Sequence, residues 1–377
     1  MYTSLASSTQ FQTTTLEDLS SDSPANEISS PSRIAELAQE ILGHLGNASQ
    51  EIATLNDETR FLSINARIEA ARAGGRIGAA FGVVAQAIQD LSGKTTTVAR
   101  TLSERTGAAL NELARISTCL GTKMQGEKLT SIADHIIDVI DRNLYERTCD
   151  CRWWAADESL VNAFGQSSQQ GFTHASRRLG VILDSYTVYI DLVLCDLSGQ
   201  VVAHGRPAQF CSQGMICRQS PWFRRAIETR DATEFAFESV HHSHLVSNRK
   251  VLVYAGVVRE GGQLNGKPLG VLGALFDWES LGQKLVEDLP LDHDEMQRTR
   301  CLLIDQNDMI LADSKRQSVG EPLNLLAGGE FLSRSRGFQE FMIDGERTLL
   351  AFSTSRGFET YATGWKCVIM HRLDDLA

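Results

Sequence analysis

An α+β chain of several domains is what these 377 residues predict: an N-terminal antiparallel helical hairpin, a long helical connection, and two antiparallel-sheet modules. Three observations carry that expectation. Apolar residues recur at alternating four- and three-residue steps on both sides of a glycine-bearing turn near residue 75. Helical periodicity then resumes, less regularly, to about residue 185. From about residue 190 the chain changes to short apolar runs, and the same strand–turn–strand opening occurs twice.

Composition bounds the class. With 42% hydrophobic residues the chain can build a real core, and its length gives room for two or three domains. No run approaches the roughly eighteen apolar residues that span a bilayer. The best candidates, 251–258 and 269–276, are of strand length. A net charge of −11 argues against general nucleic-acid binding by phosphate neutralisation. Residues 1–30 are rich in Ser, Thr and Asp and are expected to be a disordered tail. They hold neither the basic segment nor the apolar core of a secretory signal, so a cytoplasmic chain without membrane insertion is expected. The eight cysteines show no CxxC spacing and read as reduced thiols.

The hairpin is assigned to 31–120. Its first arm starts at Pro31-Ser32 and runs to about residue 74, roughly 60 Å at 1.5 Å per residue. Its stripe is Ile34, Ala38, Ile41, Leu45, Ala48, Ile52, Leu55, Thr59, Leu62, Ala66, Glu69 and Ala73. A turn is expected over Gly75–Ala80. The returning arm carries Phe81, Val84, Ile88, Leu91, Thr95, Val98 and Leu102 in the same rhythm, which predicts an antiparallel coiled coil. Two such hairpins would bury their seams as a four-helix bundle, so a homodimer is expected. Connecting helices follow over 121–188, through Ile132, Ile136, Ile140 and Leu144, with breaks near Gly121 and Gly165.

The first sheet module is assigned to 189–290. Its strands are expected at 192–196, 200–203, 234–240, 250–259 and 270–276, with helices at 221–229 and 279–288. The second, 291–377, opens with strands at 301–305 and 309–312 and closes with strands at 347–354 and 364–370.

The tip sequence Asn65-Ala66-Arg67-Ile68-Glu69-Ala70-Ala71-Arg72-Ala73-Gly74, followed by Phe81-Gly82-Val83-Val84-Ala85, resembles the signalling hairpin of bacterial methyl-accepting chemotaxis receptors over about 52–100. Asn65, Glu69 and Arg72 form a polar pattern, read as buried, within an alanine-rich coil. The resemblance implies a hairpin that joins dimers into trimers and docks a chemotaxis histidine kinase and its coupling adaptor. Carried over, Phe61, Ile64, Asn65, Glu69, Arg72 and Phe81 fall at the protein-contact tip, with Val83 opposite. Three departures stand out. The turn has one residue more than usual, Arg67 replaces a small residue, and Gln86-Ala87 replaces an Asp-Glu pair. Gln50-Glu51 superficially resembles a methylated pair but lies too near the tip and reads as a solvated helix face.

Leu194-Cys195-Asp196 with Gly199 and Val201-Val202, Ser220-Pro221-Trp222-Phe223 with Ala226, and Gly270-Val271-Leu272-Gly273 resemble the double Cache family over about 130–372. That family has two PAS-like modules behind a long helix, which implies a small-ligand sensor. Trp222 and Phe223, with His242, Tyr254 and Asp277, are the candidate ligand contacts, core packing being the alternative for the two aromatic residues. Family members that bind amino acids carry Arg, Tyr and Asp where this chain has Ser220, Phe223 and Leu275, so an amino-acid ligand is not supported. His242 and His244 would share a strand face, but no acidic or cysteine partner follows at metal-site spacing. Cys149-Asp150-Cys151 beside Trp153-Trp154 reads as a helix face packing two tryptophans. Neither metal nor cofactor is expected. No Gly-x-Ser-x-Gly elbow or phosphate loop occurs, which counts against an enzyme built on the sheet modules. The two resemblances imply a signal transducer, with a non-signalling scaffold as the alternative.

Overall fold

Gly74 and Gly75 both take positive φ, 58° and 64°, and reverse the chain between α1 (Pro31–Ala73) and α2 (Gly75–Ala155). Glycine reaches this left-handed region without the steric cost of a Cβ. Two residues therefore make the turn, and the expected six-residue turn over Gly75–Ala80 is already the start of α2. The structure, a computed structural model, describes residues 31–166, 169–324 and 331–373. The tail expected at 1–30 lies outside the described residues. The chain divides into two compact units, Met1–Gln125 and Gly126–Ala377, and α2 contributes residues to both.

The hairpin closes on small residues. On α1 the buried and half-buried positions include Ala38, Leu42, Leu45, Ser49, Ile52, Ser63 and Ala70; on α2 they include Gly78, Ala85, Ser92 and Ala99. Steps of four and three residues relate them, as heptad packing requires. The seam nevertheless differs from the expected one. Ala38, Leu45, Ile52 and Thr59 belong to both, whereas Ile34, Ile41, Leu55 and Leu62 are exposed. The whole expected descending stripe, Phe81, Val84, Ile88, Leu91, Thr95, Val98 and Leu102, is exposed too. Small side chains let the two backbones approach, and the larger apolar ones lie just outside the contact.

Neither Gly121 nor Gly126 breaks α2. Gly121 faces the Pro31 ring, and a Cβ on Gly126 would overlap the ring of Phe338. These glycines serve close approach, which outweighs their modest helix-propensity cost. The first break comes at Ala156–Asp157, where Asp157 Oδ1 accepts the Ser159 N–H at 2.9 Å and opens α3 (Glu158–Gln166). Gly165 lies in the last turn of α3, and α4 (Gln169–Ser185) follows.

Five strands make the first sheet: β1 (Tyr189–Asp196), β2 (Val201–His204), β3 (Ala236–Ser243), β4 (Arg249–Arg259) and β5 (Pro268–Asp277). Short α5 (Pro221–Ile227) lies between β2 and β3. After β5 come a π-helical turn, Glu279–Gln283, then α6 (Lys284–Glu287) and α7 (His293–Arg298), the last begun by a reciprocal Asp292–Glu295 capping box. The second sheet has β6 (Thr299–Ile304), β7 (Ile310–Asp313), β8 (Arg336–Ile343), β9 (Glu346–Thr354) and β10 (Lys366–Arg372). Strand order is β2-β1-β5-β4-β3 in the first and β7-β6-β10-β9-β8 in the second, antiparallel throughout. The two orders are the same topology repeated, as the paired strand–turn–strand openings imply. Strand β8 and helix α7 were not among the expected elements.

One core serves both sheets within the second unit. Leu192, Leu194, Leu272 and Phe276 from one sheet and Leu303, Leu349 and Ile369 from the other join Leu129 to Ala155 of α2 and residues of α3 and α4. The opposite face of the first sheet buries Val193, Val253 and Leu275 under α5, and that of the second buries Leu302, Leu350 and Phe352. Central strands buried on both faces explain why they read as continuous apolar runs rather than as alternating ones.

Candidate functional site

At the hairpin tip the backbones meet so closely that a Cβ on Gly78 would overlap the Ala70 carbonyl oxygen. Gly78 N–H donates to Gly74 O at 3.2 Å and fixes the first turn of α2. Around this rigid turn the predicted contact residues stand outward. Phe61 is 69% and Val83 71% exposed, and Ile64 and Phe81 are exposed as well. Asn65, Glu69 and Arg72 are also exposed in the single chain, so they are not a buried polar set. Glu69 Oε1 accepts from Arg72 Nη1 at 2.8 Å along α1.

Sequence reasoning missed Ile68 and Ile77, which extend the apolar tip on either side of the turn and are exposed. It also missed that Arg67 Nη1 donates across the hairpin to Gln89 Oε1 at 2.9 Å. The substituted Gln86 donates to Asp90 Oδ1 at 2.8 Å. An open groove of about 950 Å³ runs along the arms, lined by residues that include Asn56, Arg60, Gln89 and Lys94.

The five candidate ligand residues do not converge. Trp222 and Phe223 are each 2% exposed and pack in the core under α5, so they take the core alternative. The Trp222 ring rests on Gly273, where a Cβ would lie 3.0 Å away. Tyr254 is buried on the other face of the same sheet, and its hydroxyl shares a 2.7 Å hydrogen bond with that of Tyr361. His242 is exposed opposite Lys250, and Asp277 pairs with Val251. Lys250 and Val251 are successive strand residues, so His242 and Asp277 project from opposite faces. Asp277 Oδ2 accepts from Arg249 at 2.9 Å. Strand β3 ends at Ser243 and His244 begins a 3-10 turn, so strand alternation does not relate His242 to His244. Among the described residues no three His, Cys, Asp or Glu side chains are grouped to hold a metal ion.

On α2, Trp154 is buried but Trp153 is 71% exposed, so one tryptophan packs rather than two. Cys151 is buried, which pushes its thiol up to about 12. Asp150 accepts from the Tyr189 hydroxyl at 2.7 Å and lies beside Arg147; burial pushes its carboxyl upward.

A cleft of about 440 Å³ lies between α2 and the segment after β9, lined by residues that include Ser131, Asp134, His135, Asp141 and Arg356. Burial would raise Asp134, but hydrogen bonds from Arg356 and Ser353 outweigh it and hold the carboxyl below its ordinary value. Asp141 goes the other way, because its deeper burial outweighs its three donor groups. A second buried pair, His204 Nδ1 with Asp191 Oδ2 at 2.8 Å, joins β2 to β1. A carboxylate spacing of seven along α2 was the available sequence signal for Asp134 and Asp141; the strand pair had none.

Residues 17–141 match the model of the methyl-accepting chemotaxis protein (MCP) signalling domain, a wider span than the tip motif alone. No curated protein matches the sequence. Among solved structures, the ligand-binding domain of Pseudomonas fluorescens chemoreceptor CtaA with L-serine is 15% identical, covering 65% of this chain and 96% of that one at a TM-score of 0.46. The V. cholerae histidine kinase DctB sensor domain is 13% identical, covering 66% and 97% at 0.49. The ligand-binding domain of the Pseudomonas aeruginosa PAO1 amino acid chemoreceptor PctC with GABA is 18% identical, covering 65% and 98% at 0.48.

Proposed function

We propose that this chain is a cytoplasmic chemoreceptor-like signal transducer, in which a small-ligand sensor acts on a hairpin that docks a chemotaxis histidine kinase and its coupling adaptor. Its domains are a tail at 1–30, the signalling hairpin at 31–120, connecting helices at 121–188, and sensor modules at 189–290 and 291–377. One observation carries the proposal: the tip exposes Phe61, Ile64, Phe81 and Val83 around the Glu69–Arg72 pair, on a segment that matches the MCP signalling domain. An exposed pair of this kind is worth only about 0.3–0.5 kcal/mol to the single chain. Desolvated in an interface, it selects the partner's geometry.

The exposed stripe from Phe81 to Leu102 supports a homodimer, in which two hairpins form a four-helix bundle, and dimers assemble in turn as trimers. Among the described residues no helix is long and apolar enough to cross a membrane. The ligand would bias the bundle by its differential affinity for two arrangements of the sensor. Trp222, Phe223 and Tyr254 are core residues and are not carried into the binding site.

Reconstitution of the full chain with the kinase and adaptor tests the proposal. Kinase activity that depends on the chain, and responds to a metabolite that raises its melting temperature, supports it. The Gln86–Asp90 bond, on the arm where the resembled family carries an acidic pair, favours a second reading. In that reading the chain is a scaffold that enters receptor arrays and leaves kinase activity unchanged.

A further inference from the structure

The β9–β10 connection, 355–365, is folded on itself. Ser355 N–H donates to Trp365 O at 2.7 Å, and Phe358 and Tyr361 exchange backbone hydrogen bonds of 2.7 and 3.0 Å around a tight turn. Glu359 takes a positive φ of 53° within it. These three internal backbone bonds hold its two ends and its turn together, so that the loop moves as a unit.

We infer that this loop is a coupling latch, which ties the first sheet to residues 134–145 of α2 so that a change in one is felt in the other. On the helix side, Asp134, Asp141 and Tyr145 lie seven and eleven residues apart, on one face. Asp141, 2% exposed, accepts Ser355 Oγ at 2.8 Å, Gly357 N–H at 2.9 Å and Thr363 Oγ1 at 3.2 Å. Asp134 accepts Ser353 Oγ at 2.8 Å and is bonded by Arg356. The Tyr145 ring meets the Phe358 ring edge-on at 5.4 Å, and the Arg142 guanidinium lies 4.9 Å from its centre.

On the sheet side, the Tyr361 hydroxyl bonds the Tyr254 hydroxyl, which belongs to central strand β4. Burial pushes Tyr361 up to about 12, so both phenols remain protonated hydrogen-bonding groups. Trp365 packs on Trp278 at 5.6 Å and faces Phe237 at 6.4 Å.

The arrangement favours coupled movement. Sliding the loop off the helix strands a buried carboxylate and the Gly357 N–H, and pulling it from β4 strands two phenols, each a substantial penalty. The loop therefore follows both neighbours or neither. The inference takes its meaning from the proposed transducer, because α2 continues into the hairpin, but it can be tested without ligand, kinase or adaptor.

Amide hydrogen exchange on the full chain is the test. Tyr254→Phe removes only the hydroxyl bonded to Tyr361. Exchange is expected to rise about tenfold, the equivalent of one buried hydrogen bond, both in 355–363 and in 134–145 of α2. Residues 148–155, which meet β4 directly where Gly256 abuts the Cys151 carbonyl, should keep their wild-type rates. Asp141→Asn should loosen the same two segments, and the double variant should exceed either single one by less than the product of their effects. Ser355→Ala replaces Asp141→Asn, under the same criteria, should the latter not fold. Wild-type exchange over 134–145 in Tyr254→Phe, or multiplicative effects in the double variant, would overturn the latch. Either outcome leaves the transducer proposal standing, with a different route between sensor and helix.

Discussion

Gly78 sits against Ala70 so tightly that no side chain fits between the first turn of α2 and the last turns of α1. The hairpin therefore depends on this position. Gly78→Val is expected to cost about 1–3 kcal/mol through overpacking against backbone that cannot yield. Gly93, with nothing within 4 Å of its would-be Cβ, is the contrasting site. Gly93→Ala should stabilise the helix by about 0.5–1 kcal/mol. Exchange protection over 60–95 reads both, and loss of protection in Gly93→Ala would contradict the described packing.

A similar contact holds the first module. Gly273 leaves room for the Trp222 ring and for Val193, whose nearest atoms would lie 3.0 and 3.1 Å from a Cβ. Gly273→Ala should lower stability by about 1–3 kcal/mol. Denaturant unfolding followed by tryptophan fluorescence measures it. A stable variant with unchanged fluorescence would return Trp222 to consideration as a pocket residue.

Two buried carboxylates should show opposite pH trends. Burial pushes Asp313 up, but Arg300 and the backbone N–H groups of Lys315, Gln317 and Ser318 hold it at about 2. An unfolded aspartate titrates near ~3.9. Its contribution to stability is therefore full above that value and is lost as pH falls toward about 2. Asp141, raised by burial, behaves inversely: the wild type gains stability relative to an uncharged variant as pH falls through the raised value. The penalty of Asp313→Asn should shrink between pH 7 and pH 3, and that of Asp141→Asn should grow. Parallel thermal melts across that range decide it; trends of the same sign would contradict these environments.

Much of this was legible in the chain because local rules dominate there. Heptad spacing and continuous apolar runs gave the hairpin and most strands, whereas the two-glycine turn and the unbroken passage of α2 through Gly121 were not among the expectations. What escaped depends on partners distant in sequence. The seam of the hairpin shifted because Ser63, Ala70, Ala85 and Ser92 allow closer approach than the larger residues beside them. Gly126 reads as a helix breaker until Phe338, more than two hundred residues later, is placed against it. Strand β8 escaped because none of its residues is fully buried and it lacks a continuous apolar run. Trp222 and Tyr254 seemed to share a site, but Trp222, carried by α5, packs against one face of the first sheet, and Tyr254 of β4 points into the core on the other.

The tip residues should matter for assembly and little for folding. Phe61→Ala and Val83→Ser remove exposed side chains, so thermal stability at low protein concentration should change by no more than about 0.5 kcal/mol. Higher-order association, read by sedimentation velocity, should fall. Glu69→Arg should weaken it too, and adding Arg72→Glu should restore part of the loss by re-forming the pair with reversed polarity. Association that ignores all four substitutions would place the contact surface elsewhere.

The most direct measurement is autophosphorylation of the chemotaxis histidine kinase, with its adaptor, in the presence of the full-length chain and of its Phe61→Ala/Glu69→Arg variant. The account predicts that the wild-type chain changes the kinase rate and that the folded variant does not. A kinase rate the same with wild type, with variant and with no added chain would contradict it.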